Sequence, residues 1–572
     1  MKIPTIQRSY IAKDIVLKTF EDVESYFNEL LTREINELSS YKKWLCDVSE
    51  LEAFLEEDGA WRYIKMSIDT TNPALTESYT YFVTEIQPKL APLTNDLNKK
   101  MMASQFHKEL SEDPAYAIYF RSVGVQLDLF REENIAIEAY LSEKSQEYGS
   151  ISAAQTIEHD GKNLTMQQAS VYLKNQDETL RSEVYHKIAA RRRQDMDKLN
   201  VLFTDLIQKR NELAKNAGFD NYRDYMFQNM GRFDYDKEAC FDFHEAVAQK
   251  VVPLVKEIQY KKLQKLGKSS FKPWDLDVDP DGKEPLKPFN SGNEMLEKTI
   301  EIFNQMDSYF GDCLRTMKEM GHLDLESKEG KAPGGYNYPL YEIGVPFIFM
   351  NSVGLHRDLV TMVHEGGHAI HSFLNRELTL TAFKNIPSEA AELASMSMEL
   401  LSMKYWDAFY PNSEELLRAR EEHLEDILKV LPWIAQIDAF QHWVYTNPTH
   451  STEDRSAQWL TLSKRFGTGL TDWTGFEDLQ AHSWQRQLHL YEVPFYYIEY
   501  GIAQLGAIGV WKNSLENEAK AIQQYKAGLS LGYTQSLPKI YEAAGVNFDL
   551  STKRIGELMQ FVDSYVKDLT KE

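Results

Sequence analysis

From Asp14 to about Glu147 the apolar positions recur at steps of three and four among Glu and Lys, as in Phe20, Val23, Tyr26, Phe27, Leu30 and Leu31, which predicts helices. The same spacing returns from about Glu178 to Ala217, from Leu355 to Tyr410, from Ser413 to Asn447 and from Glu492 to the end. Residues 150–166 break it: Ile151 to Ile157, a His159-Asp160-Gly161 turn and Leu164 to Met166 predict a small hairpin. Lys265 to Ser291 is rich in Gly, Pro, Asp and Lys and reads as loop, a candidate linker or lid. Ser327 to Pro346 is also irregular, with Gly330, Pro333, Gly334, Gly335, Pro339, Gly344 and Pro346, and it meets a strand-like run, Phe347-Ile348-Phe349-Met350. No fixed-period repeat and no low-complexity tract interrupts the pattern.

Composition narrows the function classes. Of 572 residues 43% are hydrophobic and 12% aromatic, enough for a large buried core. Sixty-three basic against 87 acidic residues give a net charge of -24, which disfavours nucleic acid as a partner. Cys46, Cys240 and Cys313 are few and far apart, as expected in a reducing compartment. The first ten residues carry charges where an export signal would be apolar, and no run approaches the ~18 to 20 apolar residues of a spanning helix. The expectation is a cytoplasmic protein without a membrane partner.

The segment that carries chemistry runs from Asp358 to Phe373 and contains His364-Glu365-Gly366-Gly367-His368. On a helix, positions four apart differ by about 40° of rotation and about 6 Å of rise, so His364 and His368 can turn two imidazoles toward one ion. Zinc accepts neutral imidazole nitrogens at ~2.0 to 2.1 Å, and Glu365, beside the first ligand, can reach its open position as general base. By chance an H-E-x-x-H would occur about 0.03 times in a chain of this length and composition. Gly366 and Gly367 each cost a helix roughly 1 kcal/mol relative to Ala, a burden with a use where backbone must approach a neighbour closely. His371 faces the same way but lies about 10 Å of rise beyond His364, so a third ligand must come from elsewhere.

The next helix is predicted to start at Pro387-Ser388 and carries Glu389, Glu392 and Glu399 among Ala, Leu and Met. Carboxylates in so apolar a helix need a partner. Glu392 and Glu399 share a face seven residues apart, so one could bind metal while the other orients a ligand by a hydrogen bond. Spacing alone does not choose between Glu389 and Glu392.

Four segments together are distinctive: Lys331-Ala332-Pro333-Gly334-Gly335-Tyr336, Pro346 to Asn351, the H-E-G-G-H-A-I-H run, and Ala391-Glu392-Leu393-Ala394-Ser395. They closely resemble the oligoendopeptidase F branch of the thimet oligopeptidase zinc metallopeptidases, a likeness that extends to Met230-Gly231-Arg232-Phe233-Asp234-Tyr235 and Pro273-Trp274-Asp275. The resemblance implies a mainly helical, zincin-like fold with a small sheet near the metal helix and a deep cleft between two helical halves. It implies one zinc ion per chain held by His364, His368 and Glu392, with Glu365 as base and Glu399 behind a ligand. On it the chain divides into an N-terminal helical region, 1–180, and a catalytic region, 181–572. It also implies that His489 and the cluster Tyr496, Tyr497 and Tyr500 face the reacting peptide, one phenol meeting the oxyanion. Which one stays open.

Phe347 to Met350 is expected as an edge strand beside the metal helix, able to hold an extended peptide by main-chain hydrogen bonds. His244, His356, His450 and His482 are expected to be structural or solvated, and Arg191-Arg192-Arg193 a solvated helix face. The expected activity is internal cleavage of short peptides. The rivals are a carboxypeptidase or dipeptidyl-releasing zinc peptidase, and a helical peptide-binding protein with structural zinc.

Overall fold

The computed structural model describes residues 2–328, 330–332 and 334–569, so Met1, Glu329, Pro333 and the end of the C-terminal helical pattern, 570–572, lie outside the described residues. The helices that frame the site are α1 (Leu38–Ile68), α2 (Glu178–Asn216), α3 (Lys237–Ala246), α4 (His356–Asn375), α5 (Ser388–Ser402), α6 (Ser413–Thr446) and α7 (Tyr497–Leu529). The limits of α2 and α6 fall close to those predicted by the apolar spacing and α5 starts where predicted, whereas α1 and α4 are parts of longer predicted stretches and α3 is not predicted. The hairpin is formed by β1 (Thr156–His159) and β2 (Lys162–Thr165), which pair antiparallel around Asp160 and Gly161. Among the described residues no helix is long and apolar enough to cross a membrane.

A second sheet contains β3 (Leu323–Glu326), β4 (Tyr336–Tyr338) and β5 (Phe347–Ser352) in the order β3-β5-β4. The strand expected at an edge is therefore the central one: β5 pairs parallel with β3 and antiparallel with β4. Its Phe347, Ile348, Phe349 and Met350 are all buried, the apolar run of a strand covered on both faces rather than the alternation of a half-exposed edge. The edge beside α4 is β4, three residues inside the glycine-rich stretch, whose Asn337 side chain donates to the Glu365 carbonyl at 3.3 Å.

Apolar residues from Ile11 to Val123 form a core of their own, joined by Leu380 and Phe383, whereas the main core gathers residues from Leu129 onward. The two parts meet at the sheet. Trp61 on α1 packs edge-on against Phe347, Tyr63 lies against Tyr336 and Tyr338, and the Glu57 carboxylate accepts from the backbone of Glu342 and Ile343 at 2.8 and 2.9 Å. The stretch 267–291 is irregular as expected but is tied down: buried Asp275 accepts from Arg181 at 2.9 Å and Lys268 at 2.8 Å. It is neither a free linker nor a lid.

Helix α5 packs between α4 and α7. The closest point is Gly367, where an added Cβ would stand 2.6 Å from Ser395 Cα and 2.7 Å from the Ala394 carbonyl oxygen. At Gly366 it would stand 2.8 Å from the Phe303 ring. The glycine pair thus trades helix propensity for helix contact. Since the obstacle at Gly367 is backbone, Gly367→Ala is expected to destabilise by about 1–3 kcal/mol, read as a lower thermal midpoint. Gly149→Ala, where nothing lies within 4 Å, is the control and should not lower it. Equal midpoints for the two variants would contradict the contact.

Candidate active site

Helix α4 is started by Asp358, whose carboxylate accepts from the backbone of Val353 at 2.8 Å and of Leu355 at 2.9 Å. Two turns on, His364 and His368 project toward α5, their rings 4.9 Å apart and nearly perpendicular. Glu392 comes from α5 to meet them: its Oε2 lies 3.3 Å from His364 Nε2 and 3.6 Å from His368 Nε2. The imidazoles keep 20% and 18% of their surface exposed, so this point opens to solvent on one side. His371 turns away, buried, toward the Leu529 carbonyl.

The three glutamates of α5 are all buried and diverge. Glu389 accepts from the Tyr235 hydroxyl at 2.6 Å, away from the imidazoles. Glu399 accepts from His364 Nδ1 at 2.6 Å and lies 3.5 Å from His423 Nε2. Glu392 is further held by the Ser395 hydroxyl at 2.9 Å and the Tyr496 hydroxyl at 2.9 Å. The face shared by Glu392 and Glu399 is the one predicted by their spacing, and geometry separates Glu392 from Glu389 where spacing did not.

These donors fit a tetrahedral divalent ion. Ligand atoms ~2.0 to 2.1 Å from such an ion stand about 3.3 Å apart, which is close to both separations from Glu392. The chemistry of the set agrees. Burial would lower the His364 pKa, but hydrogen bonds with Glu392 and Glu399 outweigh it and hold the pKa well above its ordinary value. Burial would raise Glu392, yet His368 and His364 hold it at about 2. Two carboxylates thus draw a positive charge to this point, and a bound cation would supply it without protonating a ligand. Beside them Glu365 is pushed up to about 7 by burial, with Glu392 and Glu399 adding to the effect against His364. Its Oε2 is buried and without a hydrogen-bond partner among the described residues.

The aromatic cluster is brought to the same place. Tyr496 reaches Glu392, and the Tyr500 hydroxyl lies 3.4 Å from His489 Nε2. The other His489 nitrogen is 2.7 Å from the Gln487 amide, and burial lowers this imidazole to about 4, so it is neutral at pH 7. Tyr497 stands edge-on to His489 at 4.9 Å and beside Trp433.

Several contributors are not singled out in the sequence, although Arg232 lies within the Met230–Tyr235 segment of the family likeness. Phe495, immediately before Tyr496, is a buried aromatic at φ +71, a backbone conformation that bulky residues rarely adopt. It is held by Gln441 on α6, which accepts from its N–H at 2.6 Å, and by Arg232, which donates to its carbonyl and to Glu499 at 3.0 Å. His423 is the other unforeseen residue. None of them forms a local motif, and each meets the site only through the fold.

The class defined by this arrangement is a helical peptidase with an H-E-x-x-H helix. The chain matches the peptidase M3 N-terminal domain over residues 15–130 and peptidase family M3 over residues 171–558, and it belongs to peptidase family M3. Within that family its relatives place it in the oligoendopeptidase F branch. An oligoendopeptidase F homolog of Borreliella burgdorferi is 22% identical over 556 residues, 90% of this chain and 89% of that protein. Oligopeptidase PepF of Bacillus subtilis is 25% identical over 244 residues, 42% of this chain and 35% of that one. Among solved structures, PZ peptidase A with an inhibitor superposes with a TM-score of 0.90 at 24% identity, covering 96% of this chain and 98% of that one. Oligoendopeptidase-F from Enterococcus faecium does so with a TM-score of 0.61 at 16% identity, covering 97% and 94%. At these identities the structural likeness is one of fold.

If Gln441 and Arg232 hold Tyr496 in place through the Phe495 backbone, Gln441→Met should lower kcat for a peptide several-fold with metal content unchanged. The variant leaves a buried N–H unpaired, a cost of about 1–3 kcal/mol. An unaltered kcat would show that Tyr496 does not depend on this clamp.

Proposed function

We propose that the chain is a zinc endopeptidase that hydrolyses internal bonds of short peptides. His364, His368 and Glu392 are the proposed ligands, and Glu365 the general base. The observation that carries the reading is the convergence of three ligand atoms within 4.8 Å beside a buried carboxylate oxygen that has no other partner among the described residues. A purely structural zinc would be closed by a fourth protein ligand and would have no use for that carboxylate.

When bound, zinc supplies a Lewis acid that lowers the pKa of water toward ~7 and polarises a scissile carbonyl. Glu365 takes the proton of the attacking water and passes it to the departing amine. Its burial favours the protonated form needed in the second step. Glu399 accepts from Nδ1 of His364, which fixes the tautomer and leaves Nε2 free as a ligand. Tyr496 and Tyr500 turn their hydroxyls to the side of Glu392 where the oxyanion develops, and neutral His489 orients Tyr500. Tyr497 has a packing role in this reading. The free edge of β4, next to Glu365, pairs with the substrate backbone and takes the part first expected of Phe347 to Met350.

Glu365→Gln preserves size and leaves the ligands intact, so zinc content should be kept while turnover falls by at least ~100-fold. Retained turnover would assign the base elsewhere. Glu392→Gln should lose one equivalent of zinc relative to the wild type, measured by atomic emission, whereas Glu389→Gln should lose none. Equal losses would remove the support for Glu392 as ligand. Peptides of on the order of 5 to 20 residues should be cut internally, and denatured protein chains poorly, since the reach of an extended chain is ~3.3 Å per residue. Release of single residues or dipeptides from one terminus would instead favour the exopeptidase reading.

A further inference from the structure

A second group of ligand-type side chains lies where α3 meets α6. Cys240 and His244 stand four residues apart on α3, and Asp438 and His442 four apart on α6, so each helix turns two donors to one face. All four are buried, at 0%, 3%, 0% and 4% exposure. One donor atom each from Cys240, Asp438 and His442 lies within 4.8 Å of the other two. His244 Nε2 is 2.7 Å from Asp438 Oδ2, and its ring centre is 5.8 Å from that of His442.

Hydrogen bonding within the group is incomplete. Asp438 Oδ1 and His442 Nδ1 have no hydrogen-bond partner among the described residues, whereas His442 Nε2 lies 3.2 Å from Asp438 Oδ2 and is paired with it. Among the described residues the Cys240 thiol donates to the Asp236 carbonyl of its own helix turn, at 3.5 Å. Phe241, Phe227 and Phe495 pack around the His442 ring at 5.0, 5.9 and 5.5 Å. Native interiors pair nearly all buried polar atoms, so an unpaired carboxylate oxygen and an unpaired imidazole nitrogen on α6, facing the Cys240 thiol of α3, indicate a partner that is not a side chain.

We propose that Cys240, Asp438, His442 and His244 bind a structural zinc ion that ties α3 to α6, His244 Nε2 giving up its hydrogen bond with Asp438 Oδ2 to become the fourth ligand. Thiolate, imidazole and carboxylate are the donors zinc takes in closed structural sites. On binding, the Cys240 S–H proton leaves to solvent as the sulfur–zinc bond forms. The site is separate from His364 and His368, yet it adjoins the support of Tyr496: Gln441, which holds the Phe495 backbone, sits between Asp438 and His442 on α6. Its donors are independent of the proposed catalytic zinc.

The test uses the full-length protein, loaded with zinc and freed of loosely bound metal. Two equivalents per chain are expected, with one remaining in Cys240→Ser and one remaining in His364→Ala. One equivalent in the wild type that survives Cys240→Ser overturns the second site, and this outcome is separate from any result at His364. Should the serine variant fold poorly, wild-type protein reconstituted with cobalt decides. A near-ultraviolet thiolate-to-cobalt charge-transfer band is expected, because the histidine–glutamate site contains no sulfur. Its absence from cobalt-loaded protein would contradict the proposal.

Discussion

The contact on which the site depends is the approach of two helix backbones at Gly367. With no Cβ there, α4 lies against Ser395 and Ala394 of α5, and that distance lets a short carboxylate on one helix reach imidazoles on the other. Any larger residue would push the helices apart and carry Glu392 away from His364 and His368. The helix propensity lost at a glycine, roughly 1 kcal/mol, is small beside the ordering of three ligand groups that it permits. The proposed metal site is thus a property of helix packing as much as of the H-E-x-x-H residues.

Around that contact the buried charges are arranged in sequence. Glu392 faces the imidazoles, Glu399 stands behind His364, and Glu389 is turned to Tyr235. Each buried carboxylate of α5 has a specific partner, as burial of charge requires. The exception at the site is Glu365, whose carboxylate meets the Asn337 backbone of the edge strand β4 and keeps its buried Oε2 without a partner among the described residues. In the proposed mechanism this is the group that transfers the proton. The left-handed backbone at Phe495, immediately before Tyr496, is fixed by Arg232, in the loop after the helix Tyr222–Asn229, and by Gln441 on α6.

Much of this is legible in the sequence because it is local. Helical spacing locates the long helices, and a four-residue separation on one helix puts His364 beside His368. Position Glu392 is not legible from spacing: Glu389 is an equally plausible carboxylate until the rotation of α5 against α4 is known, and only family resemblance separates them. The sheet order escapes for another reason, since an apolar run such as Phe347 to Met350 does not say whether it lies at an edge or in the centre. Strand β4 is too short, and too rich in glycine nearby, to stand out. His423, Arg232, Gln441 and Phe495 reach the site through long-range packing that leaves no periodic mark.

The most direct test of the zinc site is an anomalous difference map recorded at the zinc absorption edge from crystals of the zinc-loaded protein. The account predicts a peak ~2.0 to 2.2 Å from His364 Nε2, His368 Nε2 and a Glu392 carboxylate oxygen, with Glu389 still turned to Tyr235. A peak bound by Glu389 or His371 in place of Glu392, or no peak between the two imidazoles, would contradict it.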